Sequence, residues 1–179
     1  MTASVSHAVK EARTRVAPMA VDLAKRLPPL MQEVVAFSME HVHQGGIPFA
    51  AFVVDGGGTV LGRGVNRVCE CRDPTAHAEV QAIRDACRAH GIGRLHGATL
   101  LASGEPCAMC YMSALYAGIT QICFAVDRDE AAANGFDYRG SYTVLASDPI
   151  DWHSPVVRKL PVPEGLQPFL AFRARSASA

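Results

Sequence analysis

PTAHAE at residues 74–79 and EPCAMC at residues 105–110 are the stretches of this 179-residue chain that decide its fold and its chemistry. The first places the imidazole of His77 two residues before the carboxylate of Glu79, and the second carries the thiols of Cys107 and Cys110. A zinc with three protein ligands keeps a fourth tetrahedral position open, as catalytic zinc sites do. The spacing therefore predicts a catalytic zinc held by His77, Cys107 and Cys110, with Glu79 beside it as a general acid–base.

Each stretch also opens a helix-like pattern. The first predicts a helix over 75–90 and the second a helix over 107–117, each followed by a glycine that can end it. Unpaired N–H groups and the helix dipole favour anions at such N-termini, so the thiolates are stabilised there. We expect the N–H of Ala78 to be free to bond a substrate oxygen.

Outward from these helices, the pattern alternates between strands and helices. It predicts strands over 49–54, 59–68, 97–103 and 120–126, a helix that opens at Pro28-Pro29, and a short final helix over 166–173. Such alternation is typical of an α/β fold whose helices shield the faces of a sheet. We expect a flexible segment over 1–17, a single domain over 18–174 and a disordered tail over 175–179. His41 and His43 lie near the end of the helix that opens at Pro28-Pro29, and both are expected on the surface.

Composition narrows the range of partners. The formal net charge is zero and the pI is about 7.0, which argues against a nucleic-acid partner. No apolar run reaches the roughly 18 residues of a membrane span, and the first 18 residues lack the apolar core of a secretory signal. We therefore expect no membrane partner and a reducing, cytoplasmic location, where the six cysteines serve as metal ligands and core thiols.

A second arrangement of cysteines is open. Cys69 and Cys71, together with Cys107 and Cys110, could form a closed four-cysteine structural zinc site. That arrangement would leave His77 and Glu79 without a function, so the catalytic site is preferred.

The two motifs resemble those of the cytidine deaminase superfamily, which pairs His-x-Glu with Pro-Cys-x-x-Cys. Within it, the chain is most similar to bacterial guanine deaminases and their relatives that act on amino-triazines, over residues from about 30 to 173. The resemblance implies a three-layer α/β/α fold with a five-stranded mixed sheet between helices. It also implies a homodimer, often with its C-terminal segment exchanged between subunits.

The resemblance further implies which residues contact a substrate. Asn66 matches an asparagine that hydrogen-bonds the substrate ring, and Phe49 matches a phenylalanine that stacks on the base. Gly135-Phe136-Asp137 resembles a guanine deaminase run in which a second acidic residue follows, but this chain has Tyr138 there. Asp137 and Tyr138 are therefore candidate substrate contacts. Trp152 and His153 either line the pocket or have a loop or core role.

The predicted function is zinc-dependent hydrolytic deamination of a free nucleobase or base analogue, with release of ammonia. The candidate substrates are guanine-like bases, isocytosine- or cytosine-like bases, and amino-s-triazines such as ammeline. The alternatives are a tRNA-specific adenosine deaminase, which shares the zinc motifs, and a non-catalytic zinc-stabilised binding module.

Overall fold

The computed structural model describes residues 21–152, 155, 157–164 and 166–177. Helices and strands alternate along most of this length. In chain order they are α1 (Val21–His43), β1 (Ala50–Val54), β2 (Val60–Val65), α2 (Val68–Cys71), α3 (Ala78–His90), β3 (Thr99–Gly104), α4 (Ala108–Ala117), β4 (Gln121–Val126), α5 (Arg128–Ala133), α6 (Gly140–Leu145), a 3₁₀ turn (Pro149–Asp151) and α7 (Gln167–Ala177). The predicted order of strands and helices is confirmed from β1 to β4, apart from the short helix α2, which begins at Val68 where the predicted second strand was expected to end.

The sheet is mixed, with strand order β2-β1-β3-β4. β1 pairs antiparallel with β2 and β3, and β3 pairs parallel with β4. One face packs on α1, where Phe52 and Leu101 contact Val34. The other face packs on α3 and α4, where Val53 and Leu100 share a core with small helix residues. The predicted three-layer α/β/α architecture is therefore confirmed.

The expected five-strand sheet is wrong by one strand within the described residues, where four strands pair. After β4, Asp127 and Glu130 form a reciprocal capping box, which begins α5 and turns the chain away from the sheet. β4 is therefore an edge strand of the described sheet, with Phe124 and Val126 exposed on it.

The first helix begins earlier than predicted. Pro28 and Pro29 lie inside α1 instead of opening it. Each proline lacks the N–H that would bond the carbonyl four residues earlier, a cost that usually ends a helix. Both prolines are exposed, so water can reach the carbonyls they leave unbonded, while Leu23 and Leu30 anchor the buried face on either side.

β2 lies unusually close to α3. A Cβ built on Gly64 would overlap the backbone of Ala78 and Ala82, and one on Gly62 would lie 2.6 Å from the carbonyl oxygen of Ala82. The glycines of the strand and the alanines of the helix thus allow backbone-to-backbone contact. This contact brings the N-terminus of α3 close to the C-terminal end of β2.

We predict that Gly64→Ala destabilises the protein by about 1–3 kcal/mol or more, since the added methyl group must displace the helix backbone. The measurement is the free energy of unfolding in denaturant. Gly93→Ala is the matched control, because a Cβ there has nothing within 4 Å and the backbone does not have a positive φ. Equal effects of the two substitutions would contradict the close packing.

The chain divides into two compact units, one up to Tyr142 and one from Thr143. The first holds the sheet and helices α1 to α5. In the second, α7 includes residues 175–177, which were expected in a disordered tail; alanine and arginine are good helix formers and extend it. The single domain over 18–174 stays a prediction, while the segment 1–17 and residues 178–179 lie outside the described residues.

No helix in the described part of the chain has both the length and the apolar character needed to cross a membrane.

Candidate metal centre and active site

Three candidate metal ligands meet where α3 and α4 begin. His77 is the N-cap residue of α3, Cys107 is the N-cap residue of α4, and Cys110 lies in the first turn of α4. The Nδ1 atom of His77 lies 3.6 Å from Sγ of Cys107 and 3.5 Å from Sγ of Cys110, and the two sulfur atoms are 3.6 Å apart. The structure thus brings together the three side chains that the sequence predicts as metal ligands.

The triangle of donor atoms has the size that zinc requires. Zinc–sulfur bonds of about 2.3 Å and zinc–nitrogen bonds of about 2.0–2.1 Å, arranged tetrahedrally, place neighbouring ligand atoms about 3.5–3.8 Å apart. All three observed distances, which are 3.5 or 3.6 Å, lie inside this range. One imidazole with two thiolates is also a donor set that zinc prefers, so the residues fit the metal.

The protonation of the thiols also suits a metal. Hydrogen bonds from the Cys110 thiol and the His77 ring lower the pKa of Cys107 to about 4. The hydrogen bond with Cys107 and burial raise the pKa of Cys110 well above its ordinary value. Zinc binds cysteine as the thiolate, so metal binding at this site must displace the proton that the two hydrogen-bonded thiols still share.

The four-cysteine alternative does not form among the described residues. Cys69 and Cys71 are exposed on α2, and the potential metal-ligand cluster consists of His77, Cys107 and Cys110. Cys69 instead lies on the wall of the adjacent cavity.

Glu79 lies in the first turn of α3 and is buried, with 6% of its surface exposed. Burial raises the pKa of this carboxyl to about 7. Such a group can both accept and donate a proton near neutral pH, which general acid–base catalysis requires.

Glu79 and the exposed edge of the ligand cluster open onto a cavity of about 400 Å³. Its lining is mostly apolar, with a few convergent polar groups, as in small-molecule sites. The residues that line it are Ile47, Phe49, Asn66, Val68, Cys69, His77, Glu79, Glu105, Cys107, Gly135, Phe136, Asp137 and Tyr138.

An aromatic wall closes one side of this cavity. The ring of Phe49 meets Phe136 edge-on at 5.2 Å and Tyr138 at 6.3 Å between centroids. Phe49 also packs on the core, so it belongs both to the core and to the cavity. Tyr138 donates a hydrogen bond of 2.7 Å to the carbonyl of Glu105.

Of the other predicted substrate contacts, Asn66 and Asp137 line the cavity and Ala78 does not. Asn66 is 9% exposed and lines the cavity. Asp137 also lines it, but Arg139 donates to both of its carboxylate oxygens, and these hydrogen bonds lower the pKa of Asp137 to about 2. Ala78 is buried and absent from the lining; its N–H begins α3 and has no acceptor within the helix.

Sequence reasoning missed the function of Glu105 and the position of His41. Glu105 is buried, and its carboxylate accepts from the hydroxyl of Tyr111, the backbone N–H of Arg128 and the Arg128 guanidinium. It thereby ties the loop before Cys107 to the start of α5. Its place two residues before the first cysteine was a signal that could have identified it.

The candidate contact Trp152 lies in the second unit, where its indole N–H donates to the hydroxyl of Ser147 at 2.8 Å. The other candidate, His153, lies outside the described residues.

Comparison with known proteins agrees with the geometry of the site. The family model of the cytidine and deoxycytidylate deaminase zinc-binding region matches residues 24–126. Guanine deaminase from Bacillus subtilis (strain 168) is 35% identical over 144 residues, which are 80% of this chain and 91% of that protein. The X-ray structure of guanine deaminase from Bacillus subtilis matches with a TM-score of 0.74 at 34% identity, covering 80% of this chain and 91% of that one.

A more distant similarity extends to another deaminase. The tRNA-specific adenosine deaminase of Agrobacterium fabrum (strain C58 / ATCC 33970) is 40% identical over 84 residues, which are 47% of this chain and 54% of that protein. The shorter coverage makes it the more distant relative. The family match, the guanine deaminase relative and the three zinc-donor atoms lead to one conclusion: the chain belongs to the cytidine and deoxycytidylate deaminase family and is a zinc-dependent nucleobase deaminase.

Proposed function

We propose that the substrate is a free guanine-like base and that the deaminated carbon is the one carrying its exocyclic amino group. The observation that carries this proposal is the position of Glu79, buried beside the zinc-donor atoms at a cavity with an aromatic wall. A flat apolar wall suits an uncharged heterocycle. The relative from Bacillus subtilis, a guanine deaminase, supports guanine over other bases.

His77, Cys107 and Cys110 hold the zinc in this proposal. Zinc with an open position supplies hydroxide near neutral pH, because it lowers the pKa of a bound water from about 15.7 to about 7. Every other step belongs to the side chains around it.

Glu79 moves the protons. A carboxylate oxygen of Glu79 accepts a proton from the attacking water and delivers it to the ring nitrogen beside the amino-bearing carbon. The water oxygen bonds to that carbon. Glu79 then transfers the second water proton to the amino group, the C–N bond breaks with its electron pair on nitrogen, and ammonia leaves.

Three other residues orient the base. Asn66 donates from its side-chain amide to the ring, and Phe49 contacts the face of the base with its own ring. The N–H of Ala78 donates to a substrate oxygen. Asp137 is held by Arg139, so it contributes a fixed negative charge at the cavity edge rather than a mobile proton carrier.

Tyr138 forms part of the wall and is not a proton shuttle. Burial raises its pKa to about 12, so the phenol stays protonated at neutral pH, and its hydroxyl already donates to Glu105. A tyrosine at this position widens the set of acceptable rings, because residue 138 offers no carboxylate to select one hydrogen-bonding edge.

The zinc-loaded protein is expected to release ammonia from guanine or from a related free base. The panel holds guanine, isocytosine, cytosine, adenine, ammeline, guanosine, cytidine and a tRNA anticodon stem. Because the proposal excludes nucleic acid, turnover of the anticodon stem alone would overturn it in favour of a tRNA adenosine deaminase. Turnover of nucleosides but not bases would overturn the free-base part.

We also propose a cytoplasmic homodimer. Exposed apolar residues occur on the edge strand β4, at Phe124 and Val126, and on α4, at Leu115 and Tyr116. An edge strand with exposed apolar side chains favours pairing with a second copy. Leu160, Leu166 and Phe169 are exposed in the second unit, which supports exchange of the C-terminal segment. Sedimentation equilibrium giving the 19.1 kDa monomer at micromolar concentration would refute the dimer.

A further inference from the structure

His41 is buried at the last turn of α1, with 6% of its surface exposed, although its position near a helix end predicted a surface residue. Its Nε2 atom lies 2.9 Å from the backbone carbonyl oxygen of Asn66. A carbonyl accepts but cannot donate, so Nε2 carries the proton and donates it. His43, two residues later, is exposed as predicted.

The end of α1 fixes the imidazole in place. The N–H of Gly46 donates to the carbonyl of His41 and the N–H of Gly45 to that of Val42, with Gly45 at φ +88°. This is a Schellman cap, which requires the left-handed conformation that glycine adopts freely. Gly46 lies directly against the ring, where a Cβ would overlap the imidazole.

Asn66 is held on both sides of its backbone. Its N–H donates to the carbonyl of Phe49 at 3.0 Å, and its carbonyl accepts from His41. The next residue, Arg67, donates to Ala76 at 2.9 Å, which ties this loop to the segment before His77.

The Asn66 side chain is oriented by its own hydrogen bond. Its Oδ1 atom accepts from the N–H of Val68 at 3.2 Å, an arrangement that leaves the amide NH₂ as the group available to donate into the cavity. The direction of this amide therefore depends on the backbone of Asn66, which His41 holds at one end.

We propose that His41 is a positioning residue that acts through Asn66 to orient the base. This role rests on the proposed function of Asn66. Loss of the donor leaves a buried carbonyl without its partner, and the Asn66–Arg67 peptide is then held only through the Arg67 N–H on Ala76. The peptide can tilt about that remaining hydrogen bond, which turns the side-chain amide away from the ring. The zinc ligands and Glu79 lie at the starts of α3 and α4, not on α1 or in the loop of Asn66.

A double-mutant cycle tests this role. His41→Leu removes the donor without extending beyond the space of the imidazole, and we expect KM for the base to rise about 10-fold, the scale of one buried hydrogen bond. In an Asn66→Ala background we expect His41→Leu to raise KM no further, because the side-chain amide through which His41 acts is already absent. His41→Gln, which restores an amide donor, recovers most of the affinity. His43→Leu is the control on the exposed neighbour and leaves KM unchanged. A full additional loss in the Asn66→Ala background would overturn the proposal in favour of a general structural role.

Hydrogen exchange tests the positioning without any substrate. The N–H of Val68 is protected by Oδ1 of Asn66, so its exchange rate reports the direction of that side chain. We expect His41→Leu to speed this exchange about 10-fold, with His41→Gln restoring it and His43→Leu without effect. An unchanged rate in His41→Leu would overturn the proposal whether or not the protein turns over a base. Failure of turnover in the unsubstituted protein would instead refute the proposed function.

Discussion

Glu79→Gln is expected to reduce turnover by a factor of about 10²–10⁴ while one zinc per chain is retained. Glutamine has nearly the same shape as glutamate, but its amide cannot accept a proton from water or deliver one to the leaving amine. Steady-state ammonia release and metal analysis of the same sample measure both parts of the prediction.

Stability supplies the control for Glu79→Gln. Burial raises the pKa of Glu79 to about 7, so above its ordinary pKa the carboxylate form makes the metal-free fold less stable. Removing the charge is therefore expected to leave the free energy of unfolding unchanged or higher at pH 7. A variant that keeps a tenth or more of the turnover would contradict the proton-transfer role, and one that loses zinc would show that Glu79 acts through the metal site.

Cys110→Ser is expected to abolish both zinc binding and turnover, because a hydroxyl group replaces one of the two thiolate ligands. Zinc binds the folded site and not the unfolded chain, so its loss also lowers stability, by about 4 kcal/mol where free zinc is 1,000-fold above its dissociation constant. Metal content, ammonia release and thermal unfolding with and without a chelator measure the three effects.

Cys69→Ser is the matched control for the metal site. This cysteine is exposed on α2 and outside the ligand cluster, so zinc content and stability are expected to stay unchanged. The opposite pattern, with zinc lost in Cys69→Ser and kept in His77→Ala, would support the four-cysteine structural site and contradict the catalytic one.

The metal ligands could be predicted because they lie in two short motifs, in which the distance along the chain between the key residues is only two or three positions. Cys107 and Cys110 share one helical turn, and the pattern around His77 fixes where α3 begins, so both motifs present their donors at helix N-termini. The apolar runs of β1 and β3 were equally clear, since both strands are buried throughout. Helix starts and buried strands depend on residues that are close in sequence, so the sequence alone indicates them.

Features that depend on distant parts of the chain could not be predicted. His41 is buried because the Asn66 carbonyl, which lies 25 residues away in sequence, lies against it. Pro28 and Pro29 are tolerated inside α1 because they fall on its exposed face, which is decided by the packing of Leu23 and Leu30 on the sheet. Among the described residues the sheet has four strands instead of five, and the chain turns away from it after Asp127.

The carboxyl of Glu79, the proposed acid–base group, shows both the local and the long-range influence. Its position two residues after His77 predicted a role beside the metal. The predicted start of the helix at the same point also placed this carboxyl in the first helical turn. Its burial and raised pKa come from side chains on other elements, including Cys107 on α4. The sequence therefore predicts Glu79 as the acid–base candidate, and burial brings the pKa of its carboxyl to about 7.

The most direct test of the central claim is deamination of guanine by the zinc-loaded protein in ¹⁸O-labelled water. Hydrolytic deamination breaks one C–N bond and forms one C–O bond with oxygen from water. The account predicts one ammonia for each product molecule and one ¹⁸O atom at the carbon that lost its amino group, with both signals reduced in parallel by Glu79→Gln. Product without ¹⁸O at that carbon, or equal signals from the Glu79→Gln protein, would contradict it.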